Sequence, residues 1–313
     1  WDLLSHQTPD TRHQTLPTVN CQLSTVLLVA SSKGVYHVDK NQKPVLITTD
    51  DSNVLYRSKL DPARVFIGLL DGLTAIYRVN GKWKKEDKIT GIEEEIRSIA
   101  EDSTGLWLGT FWGGVFRVDY SLANPLKTGL VTKFDTADGL PEGGIWVKQT
   151  QNRVLFAGET GLYRVVSESK SKKKIKYFIP DSSFGVQFAD GSRGIHRITE
   201  GLGGNIWINT FSANNFEIGF AEFIGDSSYL WHETPFLKLP REIYQAIYHE
   251  EDNVTWLGNF RGLIRYDPKI EYHYYTDYYP LIRKVTIGKD SVIYWGSYYK
   301  EALGMENGKW KMV

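Results

Sequence analysis

Cysteine is almost missing from this chain: Cys21 stands alone among 313 residues. A single thiol rules out an internal disulfide framework and any CxxC metal or redox site. Set in the strand-like stretch Thr18-Val-Asn-Cys-Gln22, it reads as a small buried hydrophobe. An excess of either charge is missing too. Lysine plus arginine and aspartate plus glutamate each number 37, so no global field draws the chain to nucleic acid or to an anionic membrane. No run approaches the roughly 18 apolar residues that a membrane-spanning helix needs. The one local charge run is Lys170, Lys172, Lys173, Lys174 and Lys176. It lies between two strand-like segments without interleaved stacking aromatics, which fits a solvated loop or hairpin.

Catalytic signatures are equally scarce. The seven histidines (His6, His13, His37, His196, His232, His249 and His273) form no HxH or HExxH spacing, so no local metal site is expected. GxSxG, a P-loop and a GxGxxG between strand and helix are all absent. Gly201-Leu-Gly-Gly204 falls at a turn rather than in a phosphate cradle. The acidic clusters Glu93-Glu-Glu95 and Glu250-Glu-Asp252 could supply paired carboxylates. The second, however, occupies a turn slot where an acid caps and solvates the backbone. No cofactor is expected.

Aromatics and glycine are abundant. Aromatic residues make up 13%, with ten Trp and eighteen Tyr beside 29 Gly, which suits many short strands closed by tight turns. One segment recurs. Its clearest copy is Ile96-Arg-Ser-Ile-Ala-Glu-Asp-Ser-Thr-Gly-Leu-Trp-Leu-Gly-Thr110, and equivalents of Gly109 fall at Ala30, Gly68, Ala157, Asn209, Gly258 and Gly296. The steps are 38, 41, 48, 52, 49 and 38 residues, so seven copies fill the chain.

Each copy opens with an apolar strand (Ile96 to Ala100, or Tyr244 to Tyr248) and turns at Asp and Gly or Asn. A nearly all-apolar strand follows, such as Leu106-Trp-Leu108, as expected for a strand buried on both faces. A hairpin then leads to a third strand, as at Gly114–Asp119, Gly161–Val165 and Gly262–Tyr266. A more polar fourth strand ends the unit, as at Val131–Phe134 or His273–Thr276.

This pattern predicts an all-β chain: a seven-bladed β-propeller of four-stranded antiparallel blades, one domain over residues 1–313. The glycine at the register mark has a steric reason, because neighbouring sheets converge there. Asn209 departs from that rule. Residues 1 to 15 could supply an outer strand to the last blade, whose own final strand would be Lys309–Val313.

The string Ile99-Ala-Glu-Asp-Ser-Thr-Gly-Leu-Trp-Leu-Gly-Thr-Phe-Trp-Gly-Gly-Val-Phe-Arg-Val118 closely resembles the two-component regulator propeller repeat. Asp138-Gly-Leu-Pro141 after Phe134-Asp-Thr is similar to that family's connector between blades. The segment Leu281 to Gly296 is similar to the one that leads into the family's triple-tyrosine domain, which the chain does not contain. The resemblance implies the extracytoplasmic, periplasmic sensor region of a membrane-bound hybrid histidine kinase. Such receptors often regulate carbohydrate use. The implied partners are a small-molecule or oligosaccharide ligand and the receptor's downstream domains; a homodimer stays open. The chain starts at Trp1 rather than Met and is expected to be a fragment of that longer protein. The repeat motifs are scaffold and transfer no ligand contacts.

If the register holds, one edge of the blades collects the hairpins between second and third strands together with the connectors entering each first strand. Its candidate ligand-binding residues are Phe111, Trp112, Phe211, Phe260, Arg261 and Tyr298 on hairpins, with Arg193 and His196 on a connector. Rings beside arginine and amides suit a sugar or another polar organic molecule. Trp146, Tyr244 and Tyr56, at strand starts, fit packing between blades equally well. The expected function is non-catalytic ligand sensing. A propeller lyase or glycosidase, and a protein-interaction disc, are the alternatives.

Overall fold

The computed structural model describes residues 2–8, 24–39, 43–120, 129–150, 153–170, 173–213, 215–225, 228–270, 284–288, 291–295, 303–306 and 309–312. It divides into two compact units, Trp1–Ile270 and Glu271–Val313.

The first unit is a propeller of antiparallel blades, each laid out in chain order from its innermost strand outwards. The first blade comprises Asp2–Thr8, Ser24–Ser31, Gly34–Val38 and Val45–Thr48. The second comprises Ser52–Arg57, Arg64–Leu69, Gly72–Val79 and Lys82–Lys85. Ile96–Asp102, Gly105–Thr110, Val115–Asp119 and Val131–Phe134 form the third. Trp146–Gln149, Val154–Gly158, Gly161–Lys170 and Lys173–Pro180 form the fourth. The fifth holds Gly194–Glu200, Ile206–Ser212, Asn215–Gly225 and Ser228–His232. Ala246–His249, Thr255–Asn259 and Gly262–Tyr266 make a three-stranded sixth. Its expected fourth strand, His273–Thr276, lies outside the described residues.

Among the described residues six blades, not seven, are therefore present. In the second unit, among the described residues, Lys284–Ile287 pairs only with Ser291–Trp295, and Leu303–Glu306 only with Lys309–Met312. These are two separate hairpins. Ile287, Val292 and Ile293 are exposed, so the hairpin grammar of this copy does not come with the buried faces that define a blade. The N-terminal strand also differs from expectation. Asp2–Thr8 pairs with Ser24–Ser31 and is the innermost strand of the first blade.

Packing between blades explains the register mark. A Cβ on Gly109 would lie 2.2 Å from the Ile145 carbonyl oxygen and 2.3 Å from Ser98 Oγ; on Gly68 it would lie 2.8 Å from a methyl of Ile96. The following blade's first strand occupies the space of the missing side chain. Ser98 Oγ also accepts the Val147 N–H at 2.8 Å. Asn209, fully buried, breaks the small-residue rule for a reason. Its Oδ1 accepts the Tyr244 N–H from the next blade at 3.2 Å, while its Nδ2 donates to the Glu217 carbonyl at 2.9 Å. The amide joins two blades where a glycine would merely let them approach.

The cores lie between blades. Trp107 packs with Phe134, Leu140, Phe156 and Phe178, and Trp207 with Phe236, Tyr244 and Leu257. The Asp135-to-Pro141 connector drives Leu140 into the first of these through a 3-10 turn at Thr136–Asp138. There Asp135 accepts the Ala137 N–H and Asp138 accepts the Asp135 N–H. The lysine run sits on a long hairpin, since Gly161–Lys170 and Lys173–Pro180 pair out to Lys170 opposite Lys173.

Candidate functional site

The strand register places hairpin tips and strand starts at one edge of every blade. Ser52 pairs with Leu69, Ile96 with Thr110, Trp146 with Ala157, Gly194 with Phe211 and Ala246 with Gly258. Two groups of the expected side chains come together on that edge.

The first lies across the second and third blades. Trp112 is 75% exposed and Phe111 42%, their rings edge to face at 4.9 Å. The Arg97 guanidinium stands 5.3 Å over the Phe111 ring and forms a 2.6 Å ion pair with Glu95, which also accepts Asn53 Nδ2 at 3.2 Å. The strip runs from amide through carboxylate and guanidinium to two rings, all on rigid strand starts and a hairpin. Asn53, Glu95 and Arg97 were not among the candidates. The sequence signal for them was the polar alternation entering each first strand.

The second lies in the fifth and sixth blades. Arg193 meets Glu233 at 3.0 Å and Glu217 at 3.5 Å. Trp231 Nε1 donates to Glu233 at 2.8 Å, Asn215 to Glu217 at 2.8 Å, and Arg241 to Asn215 at 3.1 Å. Burial would raise the Glu233 carboxyl, but the hydrogen bonds from Trp231 and Arg193 outweigh it and hold the group below its ordinary range. Beside this network a small recess of about 40 Å³ is lined by Phe216, Phe236, Leu239 and Arg241.

The remaining candidates divide. Phe260 is the most exposed ring among the described residues, at 84%, and its neighbour Arg261 pairs through Nε with Glu242. Phe211 is half-buried instead, lying so close over Gly194 that a Cβ there would sit 2.3 Å from its ring, with Phe216 at 6.2 Å. His196 occupies a bulge between Ile195 and Arg197. Its Nδ1 is buried without a partner among the described residues, and burial, reinforced by the Arg197 charge, keeps the ring's pKa below its usual value. Tyr298 lies outside the described residues. Of the strand-start aromatics, Tyr244 is fully buried with its hydroxyl donating to the Pro240 carbonyl at 2.8 Å, so it is packing; Trp146 is 37% exposed.

Two further recesses escaped the sequence reading. A shallow groove of about 570 Å³ runs past Glu93, Glu94, Phe116 and Lys133. A cleft of about 250 Å³ opens at the opposite edge, where first and second strands turn, between the fifth and sixth blades. Among the described residues no group of three or more His, Cys, Asp or Glu could hold a metal ion, and no helix is long and apolar enough to cross a membrane.

No protein-family model matches the chain, and no curated protein does. Solved structures do. The extracellular domain of BT4673 from B. thetaiotaomicron, named for a hybrid two component system, superposes with a TM-score of 0.55 at 15% identity over 94% of this chain. At that identity the likeness is one of fold. The chain spans 36% of the length of that domain. A second structure of the BT4673 extracellular domain, named for a one component system, gives a TM-score of 0.46 at 16% identity, covering 84% of this chain and 40% of that one. The computationally designed Ika8 protein gives 0.47 at 12% identity, covering 77% and 66%.

Proposed function

We propose that residues 1–313 are a non-catalytic sensing module of a membrane-bound two-component receptor, facing the extracytoplasmic side and binding a carbohydrate or similar polar organic ligand on the hairpin edge. The observation that carries this reading is the strip Asn53–Glu95–Arg97–Phe111–Trp112, three half-buried polar groups leading to two exposed rings. Rings that stack on a sugar face, next to groups that take hydroxyls, are what a saccharide subsite requires. The repeat's resemblance to the two-component propellers and the fold shared with a two-component extracellular domain support the sensor role.

The carboxylates on this edge favour binding over catalysis. Glu95, Glu217 and Glu233 are each tied to an arginine, and Glu233 is held ionised. A carboxylate fixed in that state is a poor general acid at neutral pH. The test is a thermal-shift screen against an oligosaccharide panel, with Trp112→Ala in parallel. A sugar that raises the melting temperature of the parent chain, with the rise lost in the variant, is the expected result. No shift across the panel would sink the carbohydrate reading.

A further inference from the structure

The cleft at the opposite edge lies where the fifth blade departs from its own repeat. In the third blade Trp107 donates its indole N–H to Asp102 at 2.9 Å, and in the sixth Trp256 donates to Glu250 at 2.8 Å. Both acids lie two residues beyond the residue paired with the tryptophan, Ala100 and Tyr248. In the fifth blade Trp207 pairs with Thr199, so the matching position is Gly201. Trp207 Nε1 consequently has no hydrogen-bond acceptor among the described residues. Glycine lets the turn approach the indole closely: a Cβ on Gly201 would sit 3.0 Å from that nitrogen and 3.4 Å from His249 Cε1, a tight contact.

The cation of the motif is replaced as well. Arg117 faces Trp107 across the sheet, whereas Phe220 faces Trp207. The cleft is lined by Trp207, Phe220, Asn205, Glu222 and Tyr266 among others. Asn205 Oδ1 accepts the Phe223 N–H at 3.1 Å, which fixes the amide and leaves its Nδ2 donor without a partner among the described residues. Glu222 holds His232 through Oε2 at 2.8 Å. Two vacant donors, one acid and aromatic edges thus surround about 250 Å³, room for one sugar ring.

From this geometry we propose a second ligand site in the fifth-to-sixth blade cleft, whose occupant is a neutral sugar presenting a hydroxyl oxygen to the kind of indole N–H that the third and sixth blades satisfy with their own carboxylate. Neutrality follows from the neighbours. A ligand carboxylate would meet Glu222 with no arginine in the place of Arg117, and a desolvated anion without a partner is costly. Sugar hydroxyls can accept from the indole and amide N–H groups, donate to Glu222 and meet the Nε2 of His249, which also lines the cleft and is buried without a partner among the described residues. The site rests on the reading of the chain as a carbohydrate sensor but not on the hairpin-edge strip.

The experiment follows the ¹⁵N-labelled indole resonances of the whole chain during titration with D-glucose, D-galactose, D-xylose and D-glucuronate. The Trp207 signal is assigned by its loss in Trp207→Phe. At least one neutral sugar is expected to move that signal. Gly201 has φ −94°, which an aspartate tolerates, and a side chain there would press against the indole edge, so Gly201→Asp covers the vacant donor and is expected to weaken this binding about tenfold or more. Glu222→Ala, at a half-exposed position, should weaken it several-fold without touching the core, and Trp112→Ala should leave it unchanged. Three results overturn the site: no neutral sugar moving the Trp207 signal, a shift that survives both cleft variants, or tighter binding of glucuronate than of every neutral sugar. Sugar binding abolished by Trp112→Ala alone would retain the hairpin-edge proposal while removing this one. Binding sensed only at Trp207 would do the reverse.

Discussion

At the scale of single residues, the third blade is organised around one buried cation. Arg117 is 1% exposed, and its guanidinium meets Asp102 through Nη1 at 2.7 Å and through Nη2 at 2.8 Å. Its Nε donates to Asp119 at 2.7 Å, and the group stands 4.8 Å over the Trp107 ring. Burial alone would raise the Asp102 carboxyl. The Arg117 and Thr104 hydrogen bonds outweigh it and drive the group far below its ordinary 3.8. The folded pKa is thus lower than the unfolded one, so this stabilisation is fully present above pH 3.8 and is lost as the pH falls towards the folded value. Asp102→Asn is expected to cost about 2 kcal/mol at pH 7, by leaving the buried Arg117 with a neutral acceptor. The deficit should shrink as the pH drops below 3.8, because the parent loses the same interaction. Urea midpoints of both proteins at pH 7 and pH 3 measure this; a deficit equal at both would refute it.

Among the strands, identical sequence marks have different surroundings. Gly109 and Gly258 hold the same place in their blades. A Cβ on the first would collide with the Ile145 carbonyl oxygen at 2.2 Å, whereas on the second it would meet the Ala246 Cβ at an ordinary 3.5 Å. Gly109→Ala should therefore push two blades apart and destabilise by about 1–3 kcal/mol. Gly258→Ala should be neutral or stabilising by up to about 1 kcal/mol, since alanine costs less than glycine to order in a strand. Melting temperatures of the two variants decide it, and equal losses would refute the steric account. The same pair indicates what the sequence could convey. Strand and hairpin positions were legible because alternation and turn residues are local, and so was the steric reason for Gly109. The role of Asn209 was not, because its partner Tyr244 belongs to another blade. Exposure of Trp112 and Phe260 followed from their place on tips, while the ion pairs that occupy Arg193 come from distant strands. The cleft was hidden for a subtler reason: it lies where Gly201 and Phe220 stand in the places of an acid and an arginine, which only register exposes.

Across the whole molecule, repeat counting overran the fold. The segment from Leu281 to Gly296 has a copy's hairpin grammar, but a blade also needs outer strands and buried faces, and these are long-range properties that no local pattern carries. Sensitivity to acid is also expected to be unevenly distributed among the six blades. The half-buried histidines whose pKa is depressed, His196 and His249, lie in the innermost strands of the fifth and sixth blades. Burial disfavours the charged ring in both, with Arg197 adding to the effect at His196. Each ring is then neutral in the fold at a pH where the unfolded chain, with its ordinary value of 6.5, binds a proton. Stability from this source is complete above pH 6.5 and declines below it, by at most about 1.4 kcal/mol per pH unit for each ring. The second and third blades contain no histidine, so acid should loosen one side of the propeller first. Amide exchange at pH 7.5 and pH 5.5, corrected for intrinsic rates, tests this directly. Protection in residues 194–266 should fall more than in residues 52–134, and replacing both rings with glutamine should remove the difference. A uniform loss across all blades would place the acid sensitivity elsewhere, because only a local protonation event can weaken two neighbouring blades while sparing the rest.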